Sequence, residues 1–452
     1  MHKVGVAFFF TCFVWNSALA ESTAFVNVNV IPMTSEKVVP SQTVVVIDGV
    51  IAKIGSFGGT AVPDNAVIVD GTDRYLMPGI VEMHGHVPGR TSGNLERVLT
   101  LYVANGVTTV RGMLAQPSHL QLRQDLLDQK VLGPRLVTSG PSFNDRSVRS
   151  VEHGVEMVSA QLAAGYDFLK IHPGLSLDEF DAIAAEANRL GIPFAGHVPE
   201  DVGLERALDA GIATIDHLDG YMQALLPAND DPSGGLSGFF GVFIADQVDS
   251  TRIDAIAKAT AAAGVWNVPT ESLFEHVTLS SPDPDEMARR PEMRYMPAET
   301  VAQWKGAKRQ VISDGNYSTE TAVRAVEIRR QLILALSKAG AGLLLGSDSP
   351  QIFNVPGYAL HHELEYLVQA GLSPFEALQT GTVNPARFFA AEQTFGSVQK
   401  GLQADLILLN ANPLDDITNS RRIHGVMVRG QWLPRKLLSQ QLRDLEQSDS
   451  HY

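Results

Sequence analysis

The chain has 452 residues, of which 44% are hydrophobic and 19% charged, and its formal net charge is −15. That length holds one large domain with a small companion, or two to three average ones, and the composition is globular rather than disordered. The acidic balance argues against nucleic acid and anionic lipid as main partners.

The first 20 residues differ from the rest. Lys3 is their only charge, residues 4–15 form an apolar run too short to span a bilayer, and Ala18-Leu19-Ala20 supplies small residues at a cleavage site. This pattern predicts a secretory signal cut after Ala20, an exported product in the periplasm or medium, and no stable membrane insertion afterwards. A buried N-terminal strand or a permanent anchor is the alternative. The single cysteine, Cys12, lies inside this segment. The processed chain would then have no disulfide and no thiolate ligand, so any transition-metal site must use His and carboxylates.

Residues 24–29, 43–47, 50–54 and 67–70 follow as short strands, with Asp48-Gly49 as a hairpin turn. Near the other end, 405–410 and 425–428 are again strand-like, with a turn at Arg429-Gly430. Together these predict a small β-sandwich built from both chain ends, residues 21–76 and 400–435, with 436–452 as a tail.

Between them one unit recurs: a helix-like run ends in glycine and an apolar strand follows. It occurs around Gly106, Gly133, Gly165, Gly191, Gly211, Gly264 and Gly342. Glycine suits the position just past a helix, and a continuous apolar strand after a helix marks a buried parallel sheet. With strand 75–84 in front, the units predict eight strands and an α/β fold, a (β/α)8 TIM-like barrel over 77–399. An open doubly wound sheet is the alternative. Two insertions, 221–249 after the sixth strand and 271–320 after the seventh, fall on the carboxyl face, either shaping specificity or forming plain surface loops.

The polar residues at the strand ends carry the chemistry. The first strand ends in His84-Gly85-His86, and residues two apart share one strand face, so both imidazoles can enter the barrel mouth. The fourth strand carries Lys170 among apolar residues, which is costly unless the lysine is paired or functional. It is either salt-bridged or, as a carbamate, able to bridge two metals. His172 shares its face and is a candidate substrate contact or a packed histidine. The fifth and sixth strands end in His197 and His217, the eighth in Asp348, which alone could be a helix cap. All these ends converge at one mouth, and nitrogen and oxygen donors suit a zinc-like ion.

The stretch from Met77 to His86, Gly106–Arg111, Lys170, Gly196-His197-Val198, Ile215-Asp216-His217, Gly346-Ser347-Asp348, residues 382–387 and Gly401–Leu406 resemble the amidohydrolase superfamily over about residues 24–435. The likeness is to the branch with prolidase-type dipeptidases, imidazolonepropionase and ochratoxin-hydrolysing amidases. It implies one metal on His84, His86 and Asp348, a second on His197 and His217, and carboxylated Lys170 as bridge, with zinc expected as two ions per chain. It further implies a metal-activated hydroxide as nucleophile and Asp348 as general base, then acid. Lys170 favours a binuclear hydrolase over mononuclear deaminases.

The expected reaction is hydrolysis of an amide or peptide C–N bond in a small substrate, a dipeptide or N-acyl amino acid. The alternatives are a cyclic amide, imidazolone or lactone as substrate, and a non-catalytic metal-binding protein. Tyr221 is a candidate substrate contact or a partly buried loop aromatic. Arg111 is a candidate carboxylate receptor or an ion pair with Glu82. His361 and His362 read as helix surface or support for the site, and a homo-oligomer is an open expectation.

Overall fold

The structure is a computed structural model that describes residues 22–227 and 237–448. The expected signal segment with Cys12, and all but Pro227 of the polar stretch 227–235, lie outside the described residues.

Strands from both ends of the chain pair in one eight-stranded sheet: Ser22–Val30, Val39–Ile47, Val50–Ser56, Val67–Asp70 and Tyr75–Pro78 from the first part, Leu406–Leu409, Ile423–Val428 and Gln431–Pro434 from the last. The seam is the antiparallel pairing of Tyr75–Pro78 with Leu406–Leu409. The sheet encloses its own apolar cluster, including Phe25, Val44, Ile51, Leu406 and Met427. Both expected turns are present. Asp48 and Gly49 sit at φ 50° and 75°, Arg429 and Gly430 at 49° and 83°, the left-handed pair that a tight hairpin turn demands.

The stretch read as one strand, 75–84, is two. Pro78 has no N–H to continue a ladder, and here the chain changes partners: Gly79 N donates to Asp405 O in the end sheet, Ile80 N to Gly106 O in the barrel. The barrel strand proper is Ile80–Gly85.

Val107–Gly112 and Arg135–Thr138 extend this strand into a three-stranded parallel sheet. Leu169–Ile171, Phe194–Gly196, Thr214–Asp216, Trp266–Val268 and Gly342–Leu343 form a five-stranded one. Backbone bridges link the two at both seams, Ser139 with Phe168 and Gly85 with Ser349. Helices between the strands complete an α/β, TIM-like barrel architecture, and a large apolar cluster lies between strands and helices. Regular pairing covers only Gly342–Leu343 of the expected eighth strand. Beyond it, Met83 N donates to Leu345 O and Asp348 N to His84 O, so Leu344–Asp348 still runs beside the first strand. The glycine that ends the preceding helix is Gly340, at φ 81°, rather than Gly342.

Residues 436–452, expected as a tail, begin within the helix Arg435–Ser448, whose Leu438 and Leu442 are buried.

Candidate metal centre

The histidine ligand candidates sit where a short parallel strand gives way to a loop, while Lys170 lies within Leu169–Ile171. Ile80–Gly85 delivers His84, with His86 one residue beyond. His197 follows Phe194–Gly196 and His217 follows Thr214–Asp216. Two of these positions have costly backbones: His217 at φ 65° and Asp348 at φ 57°. Left-handed conformations in non-glycine residues persist only where the surroundings enforce them, and they gather at functional sites.

His84, His86 and Asp348 bring their ligand atoms within 4.8 Å of one another. Asp348 Oδ1 lies 2.5 Å from His86 Nε2 and 3.5 Å from His84 Nε2. Even so, this oxygen has no hydrogen-bond partner among the described residues, and neither do Lys170 Nζ, His84 Nδ1 or His172 Nδ1. Buried polar atoms are almost always satisfied. Donors that crowd together without bonding one another are what a shared cation would organise. The N/O donor set, with no thiol, fits a zinc-like ion.

The second group adjoins the first. The His197 and His217 rings are 4.7 Å apart, and His217 is 4.5 Å from His84. His197 Nδ1 bonds Asp219 Oδ2 at 3.0 Å. A carboxylate only accepts, so Nδ1 carries the proton and Nε2 keeps its lone pair free for a metal. His217 Nδ1 pairs with Thr270 Oγ1 at 2.9 Å, and His84 Nδ1 lies 2.9 Å from Asp216 Oδ2. Burial, the main cause, holds the His84 and His217 pKa values well below the usual histidine value, which keeps both neutral and able to ligate.

Lys170 is fully buried. Its Nζ lies 3.9 Å from Asp216 Oδ2, short of a hydrogen bond, and burial lowers its pKa to about 8. Both expected roles, ion-paired amine and carbamate, therefore address the same spot beneath the histidines. Sequence reasoning gave Asp216 no role, yet it touches His84 and Lys170 and takes the Arg111 guanidinium at 3.1 Å. Its place beside His217 was the available signal. Glu82 was also underrated. It accepts from His84 N at 2.9 Å, Ser347 N at 3.0 Å and Ser347 Oγ at 2.5 Å, tying the first strand to the loop that carries Asp348. Burial raises its pKa to about 8.

Two substrate-contact expectations are corrected. Tyr221 is fully buried, its hydroxyl held by Thr260 Oγ1 at 3.0 Å and Asn267 Oδ1 at 2.7 Å, away from the mouth. Arg111 is also buried. It donates to Met83 O, Thr214 Oγ1 and Asp216, so its ion pair is with Asp216 rather than with a substrate, or Glu82, carboxylate. His172 does line the mouth, stacked on His197 at 5.0 Å, its pKa pushed down to about 2, mainly by burial. His361 is buried and bonded to Ser420 and to Asn105 O, and His362 lies 3.7 Å from Glu292, so neither is a ligand.

Above the histidines is a pocket of about 910 Å³. The first insertion supplies Phe239 and Phe240, Arg252 comes from just beyond it, and the second insertion supplies Leu273. Phe240 was not foreseen. Its ring stacks on His217 at 4.7 Å and 14°, from a left-handed backbone at φ 48°. Glu200, Glu205 and Asp219 are acidic groups of the lining, and besides the histidines Arg252 is the one basic side chain among the described lining residues.

The model of the Amidohydrolase family matches residues 75–433. The chain belongs to the amidohydrolase family. As in that family generally, metal dependence goes with the His-His-Asp cluster seen here. Among curated relatives, this amidohydrolase is 22% identical to adenine deaminase 3 of Rhizobium meliloti (strain 1021) over 414 residues, 89% of this chain and 56% of that one. It is 22% identical to ochratoxinase of Aspergillus niger over 291 residues, 63% and 47%. The chain thus spans about half the length of these relatives. Among solved structures it resembles bottromycin amidohydrolase, with a TM-score of 0.72 at 22% identity over 95% and 90% of the two chains. A Xaa-Pro dipeptidase gives a TM-score of 0.63 at 18% identity over 92% and 100%. At such identities these structures establish the fold.

Proposed function

We propose that this amidohydrolase carries a binuclear metal centre and hydrolyses an amide or peptide C–N bond in a dipeptide or N-acyl amino acid, in an exported compartment. The observation that carries this reading is the convergence of His84, His86 and Asp348, together with atoms of His84, Asp348 and Lys170 that lack hydrogen bonds, beside the His197–His217 pair. His84, His86 and Asp348 would hold one ion, His197 and His217 the other, with Lys170 between them. The seam bonds between the two parallel sheets support a closed barrel that focuses these strand ends on one mouth. When bound, the metals would supply an ionised water at neutral pH and polarise the scissile carbonyl.

The chain's own residues do the rest. Asp348 stands at the strand end where a proton must leave the attacking water and reach the departing nitrogen. Neutral His172 faces the pocket and can bond the substrate beside the scissile group. Arg252 offers a charge to a substrate carboxylate, the task expected of Arg111, while Glu200, Glu205 and Asp219 suit an amino group. Phe239, Phe240 and Leu273 give an apolar wall to a side chain. The likeness to a Xaa-Pro dipeptidase and to bottromycin amidohydrolase is consistent with this class.

The test is to assay metal-loaded protein against dipeptide and N-acyl amino acid libraries, with lactams and adenine as contrasts, alongside elemental analysis. Two ions per chain and turnover of a linear amide are expected. Turnover confined to lactams or adenine, or one ion or fewer per chain, would overturn this reading.

A further inference from the structure

A second cavity, of about 520 Å³, opens at the other end of the barrel. It lies among residues that begin strands: Arg135, Phe168 just before Leu169–Ile171, Pro193 before Phe194–Gly196, and Ala213 before Thr214–Asp216. Its outer wall is Phe388, the last residue of the helix Val383–Phe388, with Phe389 and Phe395 from the segment that follows. All three rings are only partly buried. Clustered, partly buried aromatics around a concavity offer apolar surface to a ligand.

The charges in this cavity are already matched. Arg111 forms part of its inner end and is paired with Asp216 at 3.1 Å. Arg135 is paired with Asp405 at 3.2 Å and Asp167 with Arg123 at 2.8 Å. No buried polar side-chain atom of the described lining lacks a hydrogen bond. The lining of the metal pocket differs, with His84 Nδ1, His172 Nδ1 and Asp348 Oδ1 lacking hydrogen bonds. A charged ligand would therefore find no free counter-charge at this end and would lose its hydration without return. The Phe168 and Phe388 rings each lie 5.5 Å from the Arg111 guanidinium carbon and cover it, leaving aromatic ring surface as the recognition chemistry.

We propose that this cavity is a binding site for an uncharged, flat, aromatic small molecule, separate from the metal-centre pocket. Its inner end bears on the centre, because Arg111 bonds Asp216, which in turn contacts His84 and Lys170.

The probe is 2-naphthol, titrated calorimetrically into the metal-loaded protein, with 2-naphthoate as the charged counterpart and a crystal soak to locate it. Saturable 2-naphthol binding is expected, with naphthoate about tenfold weaker or worse. Two variants fill the cavity from opposite walls, Ala213→Leu and Thr394→Trp. Each should weaken 2-naphthol binding at least about tenfold, and the second keeps the test alive if the first misfolds. The proposal falls if no saturable binding is seen, if neither variant weakens it, if naphthoate binds as tightly, or if density appears only in the metal pocket. It falls equally if 2-naphthol fails to bind while Thr394→Trp alters the oligomeric state in sedimentation, which would make this face an interface between copies.

Discussion

Two clusters of buried charge meet at His217 and differ in how their atoms are used. On one side are the ligand candidates, whose nitrogens and oxygens approach one another yet leave Asp348 Oδ1, His84 Nδ1 and Lys170 Nζ without hydrogen bonds. On the other is Arg329, fully buried, with all three guanidinium nitrogens engaged: Nε with Glu271 Oε2 at 2.7 Å, the others with His217 O at 2.7 Å and Pro269 O at 2.8 Å. Glu363, equally buried, spends both oxygens on Glu271 N and Ser272 N, at 2.9 and 2.6 Å. Among these network atoms only Glu271 Oε1 is left over. Both clusters carry the desolvation cost of buried charge. The satisfied one returns it as rigidity; the unsatisfied one is shaped for something from outside.

The strongest way to break this contrast is Asp348→Asn. It keeps the shape and removes the basic carboxylate, so kcat should fall about 10²- to 10⁴-fold against any substrate found, with the far-ultraviolet dichroism unchanged. Undiminished turnover with metal retained would remove Asp348 from the chemistry. Next is Arg329→Ala, which strands Glu271 and frees two carbonyls. A loss of about 3–5 kcal/mol in unfolding free energy is expected, measured by urea titration. A loss under about 1 kcal/mol would mean that the network bears little of the fold.

Protonation sharpens the same contrast. Burial raises the Glu363 pKa to about 8 from 4.5. Between those values the folded state holds a proton that the unfolded chain has lost, so this group's contribution to stability declines as pH rises from about 4.5 to 8. Glu363→Gln cannot titrate; it keeps one of the two accepting oxygens and loses the other acceptor, a cost that does not vary with pH. The stability of the variant relative to the parent should therefore climb by about 2–4 kcal/mol from pH 5 to pH 8. A pH-independent difference in parallel urea titrations would show Glu363 ionised throughout.

Much of this could be read in the chain because strand ends are written in short patterns. His84-x-His86 needed only period-two geometry, and His197, His217 and Asp348 each close an apolar run. Both hairpin turns were visible for the same local reason. What failed was non-local. Tyr221 follows His217 by four residues, but its direction depends on Thr260 and Asn267, far along the chain. Arg111 is assigned from its neighbours to a substrate carboxylate or to Glu82 because its actual partner, Asp216, is 105 residues away. Phe240 was hidden because nothing in its neighbours announces a left-handed backbone. The change of sheet at Pro78-Gly79 was masked by unbroken apolar character on both sides.

Thr270 joins the two clusters and gives the smallest effect. A β-branched residue at φ 48° and ψ 44° is an outlier, and this one is held there on both sides: Arg329 grips Pro269 O before it, Glu363 grips the N–H groups after it. The outcome of that restraint is a hydroxyl set against His217 Nδ1, where it can accept the ring N–H and so leave Nε2 free for a metal. Thr270→Val preserves the branched shape and removes only the hydroxyl. Metal affinity at the His197–His217 half should fall about 10- to 100-fold, read by competition with a chromophoric chelator, while the His84–His86–Asp348 half keeps its ion. If both ions weaken together, the hydroxyl supports the whole mouth rather than one imidazole. If neither weakens, the strained backbone at Thr270 serves the helix that follows and not the metal centre.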